Sequence, residues 1–109
     1  MKNTKKLLFR FNPDTPLRQS VNFIRAQIAG QGTEKRFALT VLETRQRFDE
    51  SSYGLMLPLN IIINPTNISD VIPALVYLDG SGYGDRTLNQ LLEADGLPKV
   101  RELVEYSLD

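Results

Sequence analysis

The chain has 109 residues, of which 41% are hydrophobic and 24% charged, a composition that predicts one globular domain or two small units packed together. It contains no cysteine and no histidine, which excludes disulfides, thiolate chemistry, Ser-His-Asp catalysis and histidine-ligated zinc. We therefore expect a protein that is not an enzyme and that uses no metal and no cofactor.

The formal net charge of zero hides an uneven distribution of charge along the chain. Residues 1–50 carry ten Lys or Arg against five Asp or Glu, whereas residues 51–109 carry three against eight. Such opposite halves often serve different partners, although scattered surface charge would give the same totals. The apolar run 55–63 is shorter than the ~20 residues that cross a bilayer, and no targeting signal is visible. We expect a cytoplasmic protein without a membrane partner.

The first predicted element is a strand over residues 5–12, in which Leu7, Phe9 and Phe11 form one face. The other face is basic at Lys6 and Arg10 and also contains Leu8 and Asn12. Pro13 ends this strand because proline cannot donate to a ladder. A strand without a partner in its own unit is unstable, and the simplest partner is the same strand of a second chain. We therefore expect a homodimer whose two-stranded ribbon fits the DNA major groove.

Two helices are predicted after this strand. Thr15 and Pro16 are typical of a helix start, and glycines at 30 and 32 end the helix. Its apolar positions repeat at helical spacing, at Leu17, Val21, Ile24 and Ile28. The second helix is capped by Thr33, and its apolar stripe, widened by Ala38 and Leu42, consists of Phe37, Val41, Thr44 and Phe48.

The second half of the chain is less regular. It predicts a strand over 55–63, a helix over 70–78, a loop over 79–84 and a helix from the cap Thr87 to Ala94. A last helix is predicted over 98–108, with an apolar stripe at Val100, Leu103 and Val104. That stripe either docks on its own domain or is an anchor for a groove on a partner protein.

The segment Lys5-Lys6-Leu7-Leu8-Phe9-Arg10-Phe11-Asn12-Pro13-Asp14, followed by the helix pair, resembles the ribbon–helix–helix DNA-binding proteins. Within that superfamily it is most similar to the ParR family, the centromere-binding adaptors of plasmid segregation. The resemblance covers about residues 4–50, with weaker similarity in residues 68–72.

The resemblance implies which residues contact DNA. Lys6, Leu8 and Arg10 would face the groove, with Arg10 paired to a guanine. Thr33 and the first amides of the second helix would hold a phosphate, with Lys35 and Arg36 adding charge. The resemblance also implies that the protein partner of the C-terminal part is an actin-like filament protein.

The sequence thus predicts an α+β fold in two parts. Residues 1–52 would form a dimeric strand–helix–helix unit that binds DNA, and residues 53–109 an acidic, mixed but mainly helical part that binds a partner. The predicted function is a sequence-specific DNA-binding protein, either a plasmid partition adaptor or a transcriptional repressor. The alternative is a small phage- or plasmid-encoded protein-binding module or inhibitor that acts through strand or helix docking.

Overall fold

The computed structural model describes residues 8–32, 34–64, 70–100 and 104–107. In chain order they form β1 (Leu8–Phe11), α1 (Leu17–Gln31), α2 (Glu34–Glu50), α3 (Met56–Ile63), α4 (Val71–Leu78), a turn (Asp79–Tyr83) with Gly82 at φ 98°, α5 (Leu88–Ala94) and β2 (Val104–Ser107). Within these ranges no helix is long and apolar enough to cross a membrane.

Helix α4 lies at the centre of the fold. Seven of its eight residues are buried, as expected of a helix that is apolar on all sides, and it packs against α1, α2 and α3. Pro73 is tolerated because it lies in the first turn, where a missing N–H breaks no helical hydrogen bond. One hydrophobic core therefore contains residues from both of the predicted segments, 1–52 and 53–109.

Helices α1 and α2 form a helical hairpin. All four predicted apolar positions of α1 are buried, and Gly32 ends the helix in the left-handed conformation at φ 70°. Pro16 precedes the helix instead of opening it, because its extended backbone forms a bridge with Thr87. On α2, Thr44 and Phe48 are buried, while Phe37 and Val41 are only partly buried.

Aromatic and polar contacts fix α2 on α4. The rings of Phe48 and Tyr77 meet edge to face with centroids 4.9 Å apart, and the Tyr77 hydroxyl donates to Asp49 Oδ1 at 2.9 Å. Burial, and then the hydrogen bond to Asp49, raise the pKa of the Tyr77 phenol above its ordinary value of 10.0.

The predicted α+β fold with an N-terminal ribbon–helix–helix unit is wrong, since the described part of the chain is mainly helical and holds five α-helices. Strand β1 is a four-residue segment that pairs antiparallel with β2 of the same chain, with Phe11 opposite Val104 and Arg10 opposite Glu105. It is therefore not the unpaired strand from which the dimeric ribbon was inferred. The homodimer loses that physical argument and stays a prediction.

Two further elements differ from the sequence-based expectation. Residues 55–63, predicted as a strand, contain the helix α3, whose first turn accommodates Pro58. The helix predicted over 98–108 is wrong as well, because residues 97–100 have no regular structure and β2 follows them. That segment is therefore not a helical anchor for a partner.

The start of α1 is fixed on the loop before α5. The amide of Leu17 donates to the Arg86 carbonyl at 2.9 Å, and the amide of Arg18 donates to the Gly84 carbonyl at 2.9 Å. The Arg18 guanidinium lies between the carboxylates of Asp79 and Asp85. A β-carbon at position 84 would overlap the Asp79 carboxylate and crowd the Arg18 guanidinium. Glycine at this position therefore leaves room for the ion pair between Arg18 and Asp79.

The predicted cap of α5 is confirmed. The backbone amide of Gln90 donates to Thr87 Oγ1 at 3.1 Å, and the backbone amide of Thr87 donates to Gln90 Oε1 at 2.9 Å. Together the two bonds form a complete capping box.

We expect Thr87→Ala to lower the free energy of unfolding by about 1 kcal/mol, measured by urea denaturation. Thr87→Ser keeps the acceptor and serves as the control. Equal losses in both variants would contradict a role for the cap.

Candidate functional site

An apolar groove runs along one side of the α1–α2 hairpin and has a volume of about 440 Å³. We call this surface the α1–α2 groove. Six of its nine lining residues are apolar and three are charged. The lining residues are Arg25, Ile28, Ala29, Glu34, Phe37, Ala38, Val41, Leu42 and Arg45.

The groove exists because the apolar stripe of α2 is wider than the part of the helix that the core covers. Phe37 and Val41 pack against the core from the groove floor and remain partly exposed. Leu42 lies on the rim with 52% of its surface exposed. Ala29 and Ala38 are small, so the backbone of an occupant can approach both helices closely.

The three charged residues divide the groove into two ends. Glu34 is the first residue of α2 and lies two positions after Gly32, the residue that ends α1. Arg45 is about 16 Å further along α2, taking a rise of about 1.5 Å per residue. Arg45 makes a 3.8 Å contact with Asp49 in an exposed setting, whereas Arg25 has no ion-pair partner among the described side chains. Among the residues that line the groove, the charge near the turn is therefore acidic and the charges further from it are basic.

The residues predicted to bind DNA lie on different elements. Leu8 and Arg10 belong to β1, where Arg10 stands opposite Glu105 in the register, so the pair of strands is not uniformly basic. Lys35 and Arg36 are exposed in the first turn of α2, next to Glu34. Lys6 and Thr33 lie outside the described residues.

The residues predicted to bind a protein partner do not form a helical stripe. Val100 is partly buried and packs against the core, and both its N–H and its carbonyl bond to the Asn89 side chain. Val104 lies in β2 opposite Phe11, and Leu103 is outside the described residues.

Sequence reasoning missed the groove as a site, although one signal for it was present. Ala38 and Leu42 widen the apolar stripe of α2 beyond what a helix on one core needs. The structure leaves both of them exposed, and they line the groove together with residues of α1.

Acidic clusters offer no comparable site in the described part of the chain. No group of three or more metal-ligating side chains occurs there, and the carboxylates of Asp79 and Asp85 both face Arg18.

Comparisons with protein-family models, with curated proteins and with solved structures found no match to this chain.

Proposed function

We propose that this protein is a non-catalytic binding module that holds an amphipathic helix of a partner protein in the α1–α2 groove. The observation that carries the proposal is the apolar floor of Phe37 and Val41, left partly exposed between two helices. An amphipathic helix laid into a hydrophobic groove is a recurring mode of peptide recognition.

The shape and chemistry of the groove favour a helix as occupant. The lining spans positions 34 to 45 of α2, which corresponds to about 16 Å or three turns of a helix at ordinary rise. Apolar side chains at i, i+4, i+7 and i+11 of a partner helix would match that length. They would cover Leu42, whose exposed surface is then removed from water.

The charges at the groove ends favour a protein over an apolar small molecule. Arg25, Glu34 and Arg45 line the groove together with six apolar residues, and protein interfaces combine an apolar centre with polar groups in the same way. Charged rim groups of this kind set orientation and specificity more than affinity.

The test uses a defined probe, a capped peptide of about four helical turns with leucine at i, i+4, i+7 and i+11 and with alanine and glutamine elsewhere. We expect amide shift changes on titration to cluster at residues 25–29 and 34–45. Leu42→Asp is expected to weaken binding by about tenfold or more, because it puts a carboxylate against the apolar face of the peptide.

Leu39→Asp is the matched control, since Leu39 lies on the same helix with 57% of its surface exposed and does not line the groove. This variant is expected to bind the peptide within twofold of the parent chain. Equal weakening in the two variants, or shift changes that avoid the groove, would refute the proposed function.

DNA binding stays a separate prediction of the sequence, with Lys35 and Arg36 as its described and exposed residues. If it occurs, affinity for plasmid fragments should fall steeply with rising salt, because phosphate contacts release counterions. Lys35→Ala with Arg36→Ala should weaken binding to every DNA sequence, while Arg86→Ala, an exposed cation elsewhere, should not. Filter binding that is the same at low and moderate salt would contradict the prediction.

A further inference from the structure

We infer that the α1–α2 groove binds its partner helix preferentially in one direction. The amino end of that helix lies at Glu34 and its carboxyl end, carrying Asp or Glu in the last turn, lies between Arg25 and Arg45. This inference rests on the proposed function and adds to it the orientation and the charge pattern of the partner.

The first support is the order of charges along the hairpin. Glu34 is the residue of the lining nearest to the turn between α1 and α2, and Arg25 and Arg45 stand on the two walls away from that turn. Arg45 keeps 69% of its side chain exposed, and Arg25 is exposed as well. Both guanidiniums are therefore available to an acidic group of an occupant.

The second support is the dipole of the occupant itself. A helix carries about half a positive charge at its amino end and about half a negative charge at its carboxyl end. Glu34 lines the groove and attracts the first of these, whereas its exposed neighbours Lys35 and Arg36 do not line it. The two arginines of the lining attract the second, so the charges in contact with an occupant favour one direction. At surface sites each such interaction changes affinity by about two- to fivefold.

A helix placed in this direction runs parallel to α2 and antiparallel to α1. Acidic side chains in its last turn would meet Arg25 on one wall and Arg45 on the other. The same residues weaken the free helix, because they oppose its dipole. The groove would supply the missing compensation on binding, so such a segment gains helicity when it docks.

The test compares two probes that differ only in the last turn of the leucine peptide, one with two Glu and one with two Lys. Both are titrated at physiological salt, where interactions between exposed charges beyond about 8 Å are largely screened. We expect the Glu peptide to bind about three- to tenfold more tightly than the Lys peptide, in line with exposed ion pairs.

Because the two peptides differ in intrinsic helicity, the decisive comparison is the variant Arg25→Glu with Arg45→Glu. It should reverse the preference between the peptides, which no difference in free-peptide helicity can do. Lys35→Glu with Arg36→Glu makes the same change of charge on exposed residues of α2 that do not line the groove. This control pair should leave the preference within twofold of the parent value.

Orientation is read directly with a nitroxide on either end of the Glu peptide. The label at the amino end should broaden the amides of residues 34–38 most strongly, and the label at the carboxyl end those of residues 42–45. The opposite pattern, or equal broadening by both labels, would overturn the inference while leaving the proposed function intact.

Two other outcomes decide between the proposals. Binding of neither peptide would refute the proposed function and the orientation with it. A dimer of the free protein that Leu42→Asp dissociates would overturn the inference in favour of a second copy of this chain as the occupant.

Discussion

Replacing Leu75 by alanine is expected to lower the free energy of unfolding by about 2–5 kcal/mol, the range for removing a buried leucine from a packed core. Leu75 is 0% exposed and lies in the middle of α4. The helix packs against α1, α2 and α3, which come from both halves of the chain, so a cavity at this position cannot close without shifting several elements. For a domain of this size the loss corresponds to a fall in Tm of about 4–8 °C per kcal/mol.

Thermal and urea unfolding followed by circular dichroism measure this change. The matched control is Leu39→Ala on the outer face of α2, where 57% of the residue is exposed and the expected change is within about 0.5 kcal/mol. Similar small losses in both variants would show that α4 is not the centre of the core.

Helices α1 and α5 could be predicted from the sequence because their signals are local. The buried face of α1 repeats at helical spacing and Gly32 marks its end. Thr87 marks the start of α5 through a side-chain bond to an amide three residues away. Interactions within a few residues of one another do not depend on the rest of the fold.

Helix α3 was missed because a short apolar run carries no periodic signal. Residues 56–63 have the sequence MLPLNIII, and such a run is equally consistent with a buried strand or a buried helix. The β-branched residues at its end favour a strand, but the packing of α3 against α4 determines the outcome. Residues 64–70 separate the two helices in this contact, so a pattern within either segment cannot predict it.

The C-terminal segment and the groove were missed for the same physical reason. Val100, Leu103 and Val104 have helical spacing, yet Val100 bonds to Asn89 and Val104 stands opposite Phe11 at the other end of the chain. Likewise, Ala38 and Leu42 were recognised as apolar positions of α2. The groove forms only because the hairpin brings Ile28 and Ala29 of α1 beside these residues, and the pattern of α2 alone does not contain that information.

Replacing Asn89 by alanine is the second change with a large expected effect. Asn89 is only 6% exposed, and its side chain makes three hydrogen bonds. Its Nδ2 donates to Asp14 Oδ1 at 2.9 Å and to the Val100 carbonyl at 2.8 Å, and its Oδ1 accepts from the Val100 amide at 2.8 Å. One amide thus joins the segment after β1, helix α5 and the chain leading to β2.

Without that amide, two backbone groups of the partly buried Val100 lose their partners. Each unsatisfied buried group costs about 1–3 kcal/mol, and water reaches part of this site, so we expect a total loss of about 2–4 kcal/mol. Hydrogen exchange of the Val100 amide should accelerate as well. Unchanged protection of that amide would show that Asn89 does not fix the C-terminal segment.

Asn89→Asp separates hydrogen bonding from packing, because it keeps the shape of the side chain. The introduced carboxylate still accepts from the Val100 amide, but it faces the Val100 carbonyl and the Asp14 carboxylate where Nδ2 donated. At pH 7 we expect a loss at least as large as in the alanine variant. Burial and the nearby Asp14 raise the pKa of the new carboxyl above the ordinary value of about 3.9.

The sign of the pH dependence follows from that raised pKa. The folded state of the variant binds a proton more tightly than the unfolded state, so its deficit relative to the parent shrinks as pH falls through the raised pKa. Protonation restores a donor that can bond to Asp14 or to Val100. Asn22→Asp on the exposed face of α1 makes the same chemical change without these partners, and it should stay within about 0.5 kcal/mol of the parent. A deficit of Asn89→Asp that is constant from pH 7 to acid would mean that packing, and not the donor bonds of Asn89, holds the two ends of the chain on α5.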